Sequence, residues 1–344
     1  MIEARTRHGI YPQRPPMDLM DIAVVGAGPC GIAVGAAARE EKLKAVLFDK
    51  GCVAASLLNY PYYMRFFSTS DRLEVGGVPF AIPEKNPSRQ EALVYYRRVA
   101  QHFHLDIRQY EAVESIAGVE GSFVIGTRKM SGRQEEYRAQ TVVLATGGFH
   151  TPNMLGIPGE DLPKVLHYYR EPHPFFDQNV LVVGGSNSAV EASLELFRAG
   201  ARVTLVHFKD ALDKGVKPWV VPDITNRLEQ GDIRVFWESR VAEVTPEAVV
   251  LRDESTGERT KLENDWVLAL TGWRPNPTLL RELGVEIDEA TGIPAHDPRS
   301  METSVPGVYI AGVLAAGNNA NKIFIENGRA HGGQIVQAVL DGRR

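Results

Sequence analysis

Two stretches of the chain repeat one pattern: a short apolar strand that ends in glycine, a helix of small residues and a second apolar strand. The first copy covers residues 21–49 and the second covers residues 179–206. Short apolar runs that end in glycine are typical of buried parallel strands. A strand, a helix and a parallel strand form the unit that binds dinucleotides. The sequence therefore predicts an α/β fold with two Rossmann-like dinucleotide-binding domains.

The first copy carries the spacing G-x-G-x-x-G, at Gly26, Gly28 and Gly31, between its strand and its helix. The first glycine permits a tight turn, the second lets the backbone approach a pyrophosphate, and the third allows close helix–strand packing. The start of the helix offers free N–H groups and a partial positive charge to phosphate. Asp49 ends the next strand and is placed to accept a hydrogen bond from a ribose hydroxyl. These residues predict a dinucleotide site.

The second copy has a related turn, in which Ser186 replaces the middle glycine. Its sequence is Gly184-Gly185-Ser186-Asn187-Ser188-Ala189. The following strand ends in His207 rather than in an acid, which disfavours the ribose contact typical of NAD. Lys209, with Lys214 and Lys217 further along the loop, is a candidate partner for the 2′-phosphate of NADP. The sequence thus favours NADPH over NADH, and the alternative is that these lysines form only a solvated face.

Composition excludes several classes of protein. The 344 residues carry a net charge of −5 with both signs spread along the chain, so we expect no basic face for nucleic acid or an anionic membrane. No apolar run approaches the roughly 20 residues that span a bilayer. Cys30 and Cys52 are the two cysteines and form no C-x-x-C, so no disulfide framework is expected. We predict a cytoplasmic protein without a metal site, with room for a homo-oligomer.

Four segments together resemble the two-domain flavoproteins of the thioredoxin reductase type. They are the turn at residues 26–31, Ala145-Thr146-Gly147 followed by Ile157-Pro158-Gly159, the second glycine turn, and Tyr309-Ile310-Ala311-Gly312. The resemblance implies an FAD-binding domain interrupted by an NADPH-binding domain. We expect a flexible leader at 1–20, the FAD-binding domain at 21–165 and 285–344, and the NADPH-binding domain at 166–284. A C-terminal helix is predicted from about Asn321 to Leu340.

Thioredoxin reductases relay electrons through a C-x-x-C, and this chain has no cysteine after Cys52. It is more similar to the bacillithiol disulfide reductase group, which lacks that motif. The likeness is carried by residues 28–31, 59–61, 66–71, 93–97, 217–219 and 311–333. It implies reduction of the disulfide of a low-molecular-weight thiol by NADPH through FAD, with Cys30 as the reactive thiol.

Cys30 has two interpretations. A helix N-terminus stabilises the thiolate that attacks a disulfide. Cys30 is also an "x" of the glycine motif, where a small buried residue serves packing and nearby phosphate opposes ionisation. His331, on the predicted C-terminal helix, is a candidate proton carrier because imidazole titrates near neutral pH, and the alternative is a capping or packing histidine. The alternative function is a ferredoxin–NADP reductase of the same fold, or another flavin reductase, neither of which needs the cysteine.

The predicted cofactor site is larger than the glycines alone. For FAD it comprises Gly26, Gly28, Pro29, Cys30, Gly31, Asp49, Lys50, Asn59, Thr146, Gly147, Gly312 and Val313. For NADPH it comprises Gly184, Gly185, Ser186, Asn187, Ser188, Ala189, His207, Lys209 and Lys217.

Overall fold

The computed structural model describes residues 19–319 and 322–343 of the chain. In that part of the chain the strands are β1 (Met20–Val25), β2 (Ala45–Asp49), β3 (Asp106–Gln109), β4 (Glu111–Val119), β5 (Ser122–Lys129), β6 (Gln134–Leu144), β7 (Val165–Leu166), β8 (Asn179–Val183), β9 (Arg202–Val206), β10 (Arg234–Phe236), β11 (Ser239–Val244), β12 (Ala248–Asp253), β13 (Arg259–Glu263), β14 (Trp266–Ala269) and β15 (Val308–Ile310). The α-helices are α1 (Pro29–Glu40), α2 (Arg89–His102), α3 (Asn187–Arg198), α4 (Val221–Glu229), α5 (Thr278–Glu282), α6 (Ile325–Gly328) and α7 (His331–Gly342). Residues 1–18 of the predicted leader lie outside the described residues, and Met20 already belongs to β1.

The first sheet has a parallel part in the order β3-β2-β1-β6-β15. Strand β1 is central, and five of its six residues are buried, as its apolar sequence predicts. Strand β6 is longer: its second half joins the parallel part, and its first half pairs with antiparallel β5, which pairs with β4. The carboxyl ends of β1, β2 and β15 meet at one edge of the sheet, where a dinucleotide binds in such folds.

The second sheet repeats this plan in the order β10-β9-β8-β14-β7, with every pair parallel. Strands β11, β12 and β13 form a separate antiparallel sheet, the counterpart of the antiparallel strands β4, β5 and β6 of the first sheet. The second sheet falls between β6 and β15 in sequence. The predicted α/β fold, with one Rossmann-like unit inserted into the other, is therefore confirmed.

Helix α1 packs unusually close to its neighbours. A Cβ on Gly332 would stand 2.5 Å from the carbonyl oxygen of Ala33, and a Cβ on Gly35 would stand 2.9 Å from Leu47 Cδ1. Glycine at both positions lets α7 approach the backbone of α1 and lets α1 lie directly on β2. This packing fixes the start of α7 beside the first glycine turn.

The predicted C-terminal helix is divided in the structure. Helix α6 ends at Gly328 and α7 begins at His331. Arg329, in the turn between them, donates to the carbonyl oxygens of Asp71 (2.9 Å) and Glu74 (2.6 Å). The break therefore ties the C-terminal segment to the loop before α2. Residues 320 and 321 lie outside the described residues.

The two linkers that join the sheets are bonded to each other. The Asn153 N–H donates to Gly272 O and the Arg274 N–H donates to Thr151 O, both at 3.0 Å. The Thr271 hydroxyl donates to Asn153 O at 2.6 Å, and the Asn153 amide donates to Thr271 O at 3.1 Å. The linkers thus form a short antiparallel ribbon at the boundary of the two units.

Candidate functional site

The first glycine turn leaves no room for side chains at two positions and open space at the third. Gly26 has φ +109°, and a Cβ there would stand 2.3 Å from Ala145 O. A Cβ on Gly31 would stand 1.9 Å from Gly26 O. A Cβ on Gly28 would meet only Ser56 Oγ, at 3.9 Å. The open face at Gly28 is the one that a pyrophosphate approaches in this motif.

Helix α1 begins at this turn without a side-chain cap. Gly28 is the N-cap residue, Pro29 opens the helix, and the first turn carries no acid. Its unpaired N–H groups and partial positive charge fit an anion. Asp49 braces the turn: its carboxylate accepts from the Ala27 N–H (2.7 Å) and the Gly51 N–H (2.8 Å). These two bonds use one lone pair on each carboxylate oxygen, so acceptor capacity remains for a ribose hydroxyl.

Further predicted residues surround the turn. The Thr146 hydroxyl is buried without a hydrogen-bond partner, and Gly147 has φ +69°. Val313 contacts the backbone of Gly148, where a Cβ would stand 3.3 Å from its Cγ1. Lys50 is exposed, and Asn59 ends the 3-10 turn Ala55–Asn59. A buried hydroxyl without a partner fits a polar ligand atom.

Sequence reasoning missed His150. Burial and the nearby Lys50 ammonium lower the pKa of this imidazole, while Asp49 acts in the opposite direction. The His150 side chain therefore lies near Asp49, the last residue of β2, and near Lys50, which follows it. The sequence signal that could have identified His150 was its position shortly after Thr146 and Gly147.

Cys30 faces the C-terminal segment rather than open solvent. A Cβ added to Gly312 would stand 2.9 Å from its Sγ, and one added to Gly328 would stand 3.0 Å from it. Burial raises the pKa of the thiol to about 12. Burial, followed by Cys30, also raises the pKa of Tyr60 to about 12. At neutral pH this cysteine is a thiol and not a thiolate.

His331 lies at the same place. Its Nδ1 accepts a hydrogen bond from the Gly312 N–H at 3.1 Å. Burial, and then His296, lower the pKa of the ring. The imidazole is therefore neutral at neutral pH, and because Nδ1 accepts, Nε2 carries the proton. Both predicted catalytic residues thus contact Gly312, which joins β15 to the last helices.

The second glycine turn is built like the first. Gly184 has φ +139°, and its Cβ would stand 2.6 Å from Leu270 O. Ser186 is the N-cap of α3 and makes no side-chain cap bond, and the first turn carries no acid. Ala189 is buried against Gly184, while Ser188 is exposed. This helix start also fits an anion.

The predicted cations around the second turn are paired with acids. Lys209 forms an ion pair with Asp213. Lys217 donates to both carboxylate oxygens of Glu191, at 2.7 and 3.0 Å. Lys214 is exposed. The structure thus brings the lysines near the turn but neutralises two of them, which sequence spacing did not predict.

Asn187 and His207 contact the second glycine turn and the loop that follows β9. Asn187 accepts from the Lys217 N–H (2.8 Å) and donates to Gly215 O (2.9 Å). The His207 ring covers Gly185, whose Cβ would stand 2.5 Å from it, and both ring nitrogens lack a hydrogen-bond partner. Burial lowers the pKa of His207, although Asp213 opposes this. Asn187 therefore fixes the loop through its two hydrogen bonds, and the neutral His207 ring lies directly against Gly185 of the turn.

Aromatic residues line the cleft between the two units, and sequence reasoning did not assemble them. Phe149 lies between Tyr60 and Trp273, with ring centres 4.6 and 4.5 Å away. Phe67 and Trp219, both exposed, stack with their centres 5.4 Å apart. The stack joins a loop of the first unit to a loop of the second.

Within residues 19–319 and 322–343, no group of three or more His, Cys, Asp or Glu side chains is arranged to hold a metal ion. No helix in the same ranges has the length and apolar character to cross a membrane.

Comparison with known proteins assigns the family. The family model described as Pyridine nucleotide-disulphide oxidoreductase matches residues 23–312. Bacilliredoxin reductase Bdr of Bacillus subtilis (strain 168) is 42% identical over 317 residues, which covers 92% of this chain and 96% of the relative. The structure titled Bacillithiol Disulfide Reductase Bdr (YpdA) from Bacillus cereus superposes with a TM-score of 0.92 at 38% identity, covering 94% of this chain and 100% of the other. Thioredoxin reductase of T. acidophilum shares the fold, with a TM-score of 0.75 at 24% identity, covering 94% of this chain and 98% of the other.

These matches confirm the resemblance to bacillithiol disulfide reductases. They also confirm the expected cofactor classes, a flavin and a nicotinamide nucleotide. The chain therefore belongs to the pyridine nucleotide-disulphide oxidoreductase family, within its bacillithiol disulfide reductase group, and is an NAD(P)H-dependent flavoprotein oxidoreductase.

Proposed function

We propose that the protein reduces the disulfide of bacillithiol with electrons from NADPH, which pass through FAD. The observation that carries this proposal is the presence of two glycine turns, each opening an uncapped helix without an acid in its first turn. The similarity to the bacillithiol disulfide reductase of Bacillus cereus supports the choice of substrate.

The first turn and its surroundings fit FAD. Gly28 leaves the space that a phosphate needs, and the partnerless Thr146 hydroxyl lies buried beside it. We assign FAD to segments 21–165 and 285–344, held by the twelve residues predicted from the sequence. When bound, FAD supplies the two-electron transfer between nicotinamide and disulfide.

We assign NADPH to residues 166–284, at the second glycine turn. Ser186 and the start of α3 would face the pyrophosphate. For the 2′-phosphate, Lys214 is exposed, whereas Lys209 has to exchange its ion pair with Asp213 for the phosphate. Asn187 and Lys217 then act by fixing the loop rather than by direct contact.

Cys30 is the proposed nucleophile, and His331 is the proposed proton donor. The Cys30 thiolate attacks one substrate sulfur, the S–S bond breaks, one thiol leaves with a proton, and a mixed disulfide remains. Two electrons and a further proton then release the second thiol and restore Cys30. Each turnover consumes one NADPH and one proton and yields two thiols. Because the pKa of Cys30 is about 12, the proposal requires that substrate or cofactor binding lower it.

That raised pKa also favours a second candidate, a reductase that passes electrons to ferredoxin without using the cysteine. One experiment separates the two: anaerobic NADPH consumption by the flavin-loaded protein and its Cys30→Ala variant, with bacillithiol disulfide as the acceptor. Loss of disulfide reduction in a variant that still bleaches its flavin with NADPH supports the nucleophile. Equal rates in both proteins rule out Cys30, and flavin reduction without disulfide consumption in either protein favours ferredoxin.

We place this reaction in the cytoplasm, where reducing conditions keep Cys30 and Cys52 as free thiols. We also propose a homo-oligomer, since Tyr63, Phe176 and Phe324 expose more than half of their side chains. Size-exclusion chromatography with light scattering measures the subunit number directly.

A further inference from the structure

Two arginines from different units meet at one tyrosine ring in the cleft. The Arg89 guanidinium, at the first residue of α2, lies 5.0 Å from the centre of the Tyr62 ring. Arg170, which follows β7, lies within 3.5 Å of the Tyr62 hydroxyl through its Nη1. The Tyr62 N–H donates to Arg170 O at 2.8 Å, which fixes the two segments together. The ring thus holds both cations at the boundary of the two units.

Neither cation has an acidic partner among residues 19–319 and 322–343. Arg89 donates through Nε to Leu57 O (2.9 Å) and through Nη2 to Leu58 O (3.1 Å), which are neutral acceptors. The Nη1 end of its guanidinium remains available. Glu91, close in sequence, caps α2 through the backbone N–H and hydroxyl of Ser88, each at 2.7 Å.

Burial is the main cause that lowers the pKa of Arg89, while Tyr62 raises it and Arg170 lowers it. Two like charges held this close repel each other unless an anion lies between them. Other arginines of the chain, such as Arg198 and Arg202, pair with aspartates. The Arg89–Arg170 pair is therefore built for a negative group that comes from outside these segments.

The pair lies close to the proposed nucleophile. The carbonyls that bind Arg89 belong to the 3-10 turn Ala55–Asn59, which leads directly into Tyr60. Tyr60 contacts Phe149 in the aromatic lining of the cleft, and Cys30 lies near enough to Tyr60 to add to the rise in its pKa that burial causes. A disulfide at Cys30 could extend one arm toward Tyr62.

We propose that Arg89 and Arg170 bind a carboxylate of the disulfide substrate, so that the enzyme selects acidic disulfides over neutral ones. This inference rests on the proposed function and names the substrate class of the same cleft. Planar guanidinium groups match a carboxylate with two parallel hydrogen bonds. Bacillithiol disulfide, whose halves carry carboxyl groups, satisfies this requirement.

The test uses the flavin-loaded protein, bacillithiol disulfide and the methyl ester of that disulfide. Arg170→Gln is the main variant, because Arg89 also supports the turn at Leu57. Arg98→Gln is the control variant. It also removes one positive charge, but from the exposed side of α2 and away from the cleft. The KM for NADPH is measured separately with ferricyanide as the acceptor, which isolates the nucleotide site.

We expect the wild type to have a KM for the acid about tenfold below that for the ester, which corresponds to about 1.4 kcal/mol. Arg170→Gln removes this preference by raising the KM for the acid, with kcat and the KM for NADPH unchanged. Arg98→Gln behaves as the wild type.

Equal KM values for acid and ester in an active wild type overturn the inference and leave the proposed function intact. A rise in the KM for NADPH in Arg170→Gln also overturns it, because the pair then binds nucleotide phosphate. A wild type that reduces its flavin but neither disulfide defeats the proposed function and this inference together.

Discussion

The sulfur of Cys30 lies against the backbone of Gly312, so close that a Cβ on the glycine would stand 2.9 Å from Sγ. The same glycine donates its N–H to His331. A shift of this segment therefore changes the surroundings of the thiol and of the imidazole together. Since burial raises the pKa of Cys30, such a shift is also the simplest way to lower it.

Alkylation measures the state of Cys30 directly. With a pKa of about 12, about one thiol in ten thousand is ionised at pH 8, so iodoacetamide should label it very slowly. The rate should rise about tenfold for each pH unit and should not level off below pH 10. Mass spectrometry of the Cys52→Ser variant, with and without NADPH, reads this rate. A plateau near pH 8 without NADPH would show that the thiol is already activated.

The glycines of the first turn should separate folding from flavin binding. Gly28→Ala adds a methyl group that meets only Ser56 in the chain itself, so the fold should survive while flavin affinity falls. Gly31→Ala drives a methyl group into Gly26 O and should cost stability, on the scale of about 1–3 kcal/mol or more. Flavin absorbance per chain and thermal unfolding of the flavin-free protein make the distinction. Gly342→Ala, which meets nothing within 4 Å, is the control.

Asp213 should control nucleotide preference. Asp213→Asn frees Lys209 and removes a negative charge near the 2′-phosphate, so the KM for NADPH should fall by up to about fivefold, equivalent to about 1 kcal/mol. The KM for NADH should stay the same. Asp210→Asn, an exposed neighbour, is the matched control. An equal change for both nucleotides would mean that Lys209 does not face the phosphate.

Stability should fall as pH decreases through the range where histidine titrates. The folded-state pKa of His331 is lowered, so below about pH 6.5 the unfolded chain binds a proton that the folded chain does not, and folding becomes less favourable. His331→Asn can still accept from Gly312 and cannot titrate. Its Tm should therefore fall less steeply between pH 7 and 5.5 than that of the wild type. Parallel curves for the two proteins would refute this, and His102→Asn, on the exposed end of α2, serves as the control.

The parts of the molecule that the sequence predicted depend on local chemistry. The turns at Gly26 and Gly184 need glycine because a Cβ at either position would clash with the carbonyl of a residue that directly follows a strand. This need appears in the glycine spacing itself. The partners of Lys217 and Arg170 were not predictable. Glu191 is 26 residues from Lys217, and Tyr62 is 108 residues from Arg170, so only the folded chain brings them together.

The C-terminal helix shows a second reason why part of the structure could not be predicted from the sequence. One helix is predicted across residues 329 and 330, whereas the structure has a break there. At this break Arg329 donates to two carbonyl acceptors in the loop before α2. Arg329 donates to backbone carbonyls that are distant in sequence, and a single sequence does not show which carbonyls will lie near it.

The paired linkers at Asn153 and Thr271 also limit how the enzyme can work. The hydrogen bonds between the two linkers make them move together as one ribbon. A thioredoxin reductase dithiol has to travel between flavin and partner, whereas this chain has no cysteine after Cys52 to carry. Under the function proposed above, the disulfide has to diffuse to a fixed thiol at Cys30, so turnover should depend on the width of the entrance to the cleft.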